Sequence, residues 1–124
     1  MTQPLALVQY ERLFPGSQLV NRLQDLSYRV RTISNPKELS DAAGETKPIV
    51  VLIDVEAGRA DTWEGVATLR RNPATSHLPI IAFGAEDSAE VQAAARASGA
   101  TLLVSETAIL THLPQLLEQA LQVE

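Results

Sequence analysis

The sequence has 124 residues, 45% hydrophobic and 20% charged, which is the size and make-up of one domain that can bury a core. It has no cysteine and only two histidines, His77 and His112; this excludes disulfides, thiolate catalysis, zinc ribbons, iron–sulfur clusters and a His-rich metal site. Fifteen Asp and Glu against ten Lys and Arg leave a net charge of −5, so the basic face that nucleic acid requires is missing.

Five short apolar runs alternate with helical patterns along the chain. Leu5-Ala6-Leu7-Val8 reads as the first strand. Leu19, Leu23 and Leu26 then recur at helical spacing after Pro15-Gly16-Ser17. Arg29-Val30-Arg31-Thr32-Ile33 alternates in polarity, as a strand does. Asn35-Pro36-Lys37-Glu38 supplies a helix cap, a proline at the first helical position and a glutamate three residues after the cap. Ile49-Val50-Val51-Leu52-Ile53 is continuous and mostly β-branched, as expected of a strand covered on both faces. Asp61-Thr62-Trp63-Glu64 repeats the cap pattern ahead of Val66 and Leu69. Ile80-Ile81-Ala82-Phe83 is the fourth strand, and Asp87-Ser88-Ala89-Glu90 opens a helix that Gly99 stops. Leu102-Leu103-Val104 is the fifth strand. The last helix carries Leu113, Leu116, Leu117, Ala120 and Leu121, with Pro114 in its first turn, where a missing N–H is harmless.

Five strand–helix units in this order require a parallel sheet covered by helices on both faces. The expected architecture is a single α/β domain over residues 1–124, a flavodoxin-like doubly wound sheet of order 2-1-3-4-5 with five helices. Arg29 and Arg31 then lie on an edge strand, where charge discourages edge pairing. Ligands of such sheets bind beyond the carboxyl ends of the strands. The residues there are Gln9, Tyr10 and Glu11; Asp54, Val55 and Glu56; Gly84 and Ala85; Ser105 and Glu106. No apolar run approaches the ~20 residues of a membrane span, and Met1-Thr2-Gln3-Pro4 lacks the features of a signal peptide. The expectation is a soluble cytoplasmic protein, off the membrane.

Asp54 ends the most hydrophobic strand, where a carboxylate is costly unless paired or exposed. Here the sequence resembles the response-regulator receiver domain. Ile49–Val55 looks like the strand that delivers that family's phosphoacceptor aspartate, and Asp61 falls where the family has the aspartate of its Asp-Gly pair. Leu69-Arg70-Arg71-Asn72-Pro73-Ala74-Thr75-Ser76-His77-Leu78-Pro79-Ile80-Ile81 resembles the family's third helix, the loop after it and the fourth strand. Gly99-Ala100 matches the small pair before strand five, and the resemblance covers nearly the whole chain without a gap.

Against that resemblance the departures are chemical. Receivers bind Mg²⁺ through two acidic residues after strand one, the phosphoacceptor and a backbone carbonyl. The first two positions here are Gln9 and Tyr10, so a hard cation keeps one of three carboxylates. Gly84 replaces the family's Ser or Thr, and Glu106, or Ser105 with a one-residue shift, replaces its Lys. Phosphoryl transfer depends on positioning and charge neutralisation, and these stabilisers are lost together. Asp54 therefore reads as a retained strand-end carboxylate. The resemblance implies, without an enzyme activity, cofactor or metal, a phosphorylation-independent interaction module whose partner is a signalling protein, a histidine kinase or an output protein. The alternative is a phosphoacceptor at Asp54 with rearranged ligands, Glu11 or Glu56. Tyr10 either fills the vacated metal position with its hydroxyl towards Asp54 or lies over the loop after strand one. Arg59 is a second candidate for that position. Trp63 is expected to pack on its own sheet, His77 and Arg70-Arg71 to be solvated, and His112 to lack a second ligand. The face that partners of the family use would carry Glu90, Arg96, Thr101, Glu106 and Gln115.

Overall fold

The computed structural model describes residues 4–10, 12–55 and 60–122. Its strands are β1 (Leu5–Gln9), β2 (Arg29–Ile33), β3 (Val50–Asp54), β4 (Ile80–Phe83) and β5 (Leu102–Val104). The helices are α1 (Leu13–Asp25), α2 (Leu39–Thr46), α3 (Ala60–Arg71), α4 (Ala89–Ser98), α5 (Glu106–Thr111) and α6 (Leu113–Gln122), and one tight turn, Pro36–Glu38, leads into α2. All strand pairs are parallel, in the order β2-β1-β3-β4-β5. Fold class and strand order are those expected from the sequence.

Alternation along the central strands sorts side chains into two cores. Leu7, Val51, Ile53, Ile80 and Ala82 face one layer, where Leu39, Ala42, Ala43, Val66 and Leu69 of α2 and α3 cover them. Ala6, Val8, Val50, Leu52, Ile81 and Phe83 face the other, covered by Leu19 and Leu23 of α1, Ile109 of α5 and Leu113, Leu117 and Ala120 of α6. Trp63 is partly buried against the first of these cores. Arg29 and Arg31 are exposed on the edge strand β2.

Three helix boundaries differ from the expectation. The helix α1 starts at Leu13, so Pro15 and Gly16 lie within its first turn, where the backbone N–H groups have no intrahelical partner in any case. Asp61 sits inside α3, not at its cap, and α4 is capped by Ser88, whose hydroxyl accepts from the Val91 N–H, rather than by Asp87. The fifth helical region is two helices, so six helices replace five. Ser105 caps α5, which stops at His112, and α6 restarts at Leu113 with Pro114 in its first turn. His112 is exposed, as is His77.

Arg70 is not a solvated helix end. Its Nε donates to the Gly99 carbonyl (2.8 Å), Nη1 to the carbonyls of Ser76 (2.7 Å) and Leu78 (2.6 Å), and Nη2 to Thr101 Oγ1 (3.0 Å). Thr101 Oγ1 also accepts from the Ile80 N–H (3.0 Å). Burial pushes the Arg70 guanidinium below its ordinary value, and its four bonds to neutral acceptors offset that cost. Thr101 is thus committed to an internal network. Arg71 stays exposed and donates to Thr68 Oγ1 (3.2 Å).

Gly99 ends α4 at φ +101°, and a Cβ there would lie 2.9 Å from Arg70 Cγ. Gly99→Ala is expected to destabilise the domain by about 1–2 kcal/mol through backbone strain and displacement of Arg70. Gly44→Ala, in α2, would meet nothing within 4 Å and is expected to stabilise by about 0.5–1 kcal/mol. Urea denaturation of the two variants beside the unaltered chain measures both.

Candidate functional site

Strand parity decides where the Asp54 carboxylate goes. Asp54 shares the parity of Val50 and Leu52, so it leaves β3 towards the layer of α1 and α5. Its side chain is 1% exposed. A carboxylate so placed needs a cation or several donors.

Arg12 supplies the cation. It is the residue before α1, and its guanidinium meets Asp54 side-on: Nε donates to Oδ2 at 2.9 Å and Nη2 to Oδ1 at 2.9 Å. The remaining nitrogen, Nη1, donates to Glu106 Oε2 at 3.2 Å. Two parallel N–H···O bonds are the strongest arrangement for this pair of groups. Asp54 raises the Arg12 pKa above its ordinary value, first through the hydrogen bond; burial opposes this, and the Asp54 charge and Glu106 add to it. While Asp54 is ionised, a raised guanidinium value means that the pair's stabilisation is full below the unfolded guanidinium's value and is lost only in strong alkali. Arg12 and Glu106 side chains are each 31% exposed, so their contact is the weaker of the two.

The other predicted positions take different roles. Gln9 has the parity of Leu7 and is buried. Its Nε2 donates to the Ser34 carbonyl at 2.9 Å, tying the end of β1 to the residue after β2, while its Oε1 is buried with no hydrogen-bond partner. Tyr10 packs its ring on Gly16 of α1 and on the core beneath α1 and α6. The cation over Asp54 is an arginine the sequence reading passed over. Gly84 is buried at φ +101°, and its N–H donates to the Val104 carbonyl at 3.0 Å. Only a residue without Cβ takes that backbone easily, and Ala85 follows at φ +49°. Ser105 Oγ accepts from the Ala108 N–H at 2.9 Å and so serves as the cap of α5. Glu106 is the first residue of that helix. Glu11, Glu56 and Arg59 lie outside the described residues.

These groups do not fit a divalent cation. Both Asp54 oxygens accept from Arg12, Gln9 turns to Ser34, and Gly84 has no donor atom in a side chain. Among the described residues no three Asp, Glu, His or Cys side chains converge on one point.

With this geometry in hand, the chain can be compared with known proteins. No family model and no curated protein matches its sequence. Solved structures do match. A response regulator from Chloroflexus aurantiacus superposes with a TM-score of 0.87 at 19% identity, over 98% of this chain and 100% of that one. The chemotaxis protein CheY4 of Vibrio cholerae gives 0.84 at 22% identity, over 96% and 99%. The signal receiver domain of a modulated diguanylate cyclase from Desulfovibrio desulfuricans gives 0.80 at 22% identity, over 97% and 94%. The fold is the receiver fold. At these identities the likeness establishes architecture, and the chemistry has to be argued from the residues.

Removing Arg12 leaves Asp54 buried without its cation. Arg12→Ala is expected to cost about 2–3 kcal/mol, and Glu106→Gln about 0.5–1 kcal/mol. In a double-mutant cycle, Arg12→Ala with Asp54→Ala should cost clearly less than the sum of the single changes, as read by chemical denaturation. Additive costs would show that the pair does not act as a unit.

Proposed function

We propose that the chain is a receiver-type module of two-component-type signalling that acts through protein–protein contact without phosphorylation, its acidic pocket closed by its own Arg12. The observation that carries this reading is the side-on pair between Arg12 and Asp54. An acceptor carboxylate must present an oxygen in line with the donor phosphorus while cations neutralise the charge that builds up. Here the guanidinium occupies both oxygens, Gly84 offers no hydroxyl, and Glu106 adds a negative charge beside the site. No catalytic step is assigned to any residue.

The partner class that suits such a module is another cytoplasmic signalling protein, a histidine kinase or an output protein. The face formed by α4, β5 and α5 supports this. Glu90 and Arg96 are exposed on α4, and a groove of about 390 Å³ runs between Arg96, Gln92 and the half-buried Leu102 and Leu103 of β5. Thr101 also lines this groove, its Oγ1 accepting from Arg70, and Glu106 is half-buried and paired with Arg12; Gln115, on α6, is exposed.

Amide spectra recorded with Mg²⁺ and a beryllofluoride phosphoryl mimic, and intact mass after incubation with a small phosphodonor, test the reading. The expected outcome is no saturable shift around Asp54 and no added phosphoryl group. Saturable shifts centred on Asp54 and abolished by Asp54→Asn would establish the phosphoacceptor instead.

A further inference from the structure

At the end of the sheet opposite Asp54, the amino ends of β3 and β4 and the end of α2 enclose a second cavity, of about 360 Å³. That size lies within the range of small-molecule sites, roughly 300–1,000 Å³. Its walls are Ala43, Pro48, Ile49, Ala74 and Leu78. Ile49 is one of three large apolar residues left exposed among the described residues, at 38%. It precedes β3, and its backbone N–H is used by the Leu5 carbonyl (2.9 Å), so the side chain is held at the cavity while the backbone belongs to the sheet.

The cavity holds one cationic side chain and one imidazole. Lys47 and His77 line it, and among the described residues its lining has no carboxylate. The chain as a whole has net charge −5, two lysines and two histidines, and one of each is placed here. Lys47 stands in the left-handed region at φ +50°, immediately after α2. There it caps the helix, its N–H donating to the Ala43 carbonyl (3.0 Å). Gly44, on the same rim, has open space where a Cβ would be. Packing therefore does not require glycine there, although a side chain would occupy space beside the cavity.

We infer that this cavity binds a small organic anion, a monocarboxylate with a compact apolar body, whose hydrocarbon lies on Ile49, Pro48 and Leu78 and whose carboxylate meets Lys47 and His77. The inference is independent of the Asp54 end of the sheet, since no residue is shared between the two.

The test is amide-resolved NMR of the full chain titrated with hexanoate, 1-hexanol and hexylamine at one pH and ionic strength. Hexanoate should give saturable shifts confined to residues 43–49 and 74–78, and it should bind at least about threefold more tightly than hexanol, the scale of one exposed ion pair. Hexylamine should bind more weakly than both. Lys47→Gln combined with His77→Gln should remove the preference for the anion while leaving hexanol binding in place, and Gly44→Leu should weaken both ligands. The comparison among the three ligands needs no variant, so it stands even where a substitution perturbs the fold. Shifts that do not saturate, that scatter over the chain, or that show a preference for hexanoate smaller than about threefold overturn the inference.

Discussion

A carboxylate at the end of a strand buried on both faces has to be compensated, and most of what is particular to this domain follows from how that is done. Asp54 is carried by β3, the middle strand of the sheet. Strand parity aims it at the layer where α1 and α5 begin. Arg12, just before α1, answers it with both Asp54 oxygens engaged, and the remaining nitrogen reaches Glu106 at the start of α5. One guanidinium therefore joins the first turn of the fold to its centre and to its last layer. Two carboxylates and one cation leave a net charge of −1 on the group, which is acceptable because Arg12 and Glu106 keep contact with water.

The opposite end of the sheet solves a related problem by other means. Arg70 is also partly buried, but its acceptors are carbonyls and a hydroxyl, not carboxylates. The guanidinium's fan of donors suits a place where several carbonyls converge, here the loop after α3 and the turn around Gly99 and Thr101. Lysine could not reach all of them. The two arginines thus brace the two ends of the sheet, one by charge and one by hydrogen bonds, and the alternating apolar residues of β1, β3 and β4 fill the space between.

The fold was legible because it rests on pattern. The runs at 5–8, 29–33, 49–53, 80–83 and 102–104 fall within one residue of the strands: those of β1, β3 and β4, buried on both faces, are continuously apolar, and that of the edge strand β2 alternates. Helix ends were less legible. Asp87 and Ser88 are adjacent residues of equal capping quality, and backbone geometry selects the serine. The break at His112 depends on how α5 and α6 pack on the second core, which the spacing of leucines does not encode. At the site, the residues after each strand were identified, but the one that matters lay one step further, in Arg12. A signal for it existed. Asp54 has the parity of Val50 and Leu52, that layer is covered by the first and last helices, and Arg12 is the cation at the start of the first. Similarly, Arg70 reads as solvated because a pair of arginines at a helix end usually is. Only the loop folding back over α3 turns one of them inward.

Glu106 takes its meaning from Arg12, which lies between it and Asp54. On the sequence alone it is a charge reversal where the resembled family has a lysine, a change that would place repulsion next to Asp54. Beside Arg12 it is a second acceptor for a guanidinium, and the repulsion between the two carboxylates is relieved by the cation between them. The absence of a lysine, the absence of a hydroxyl at Gly84 and the presence of Glu106 are therefore mutually consistent beside Arg12. Neither Gly84 nor Glu106 belongs to the two cores, whose residues alternate along the strands. The sheet holds its shape on apolar burial, and at its carboxyl edge the buried carboxylate is held by the Arg12 guanidinium.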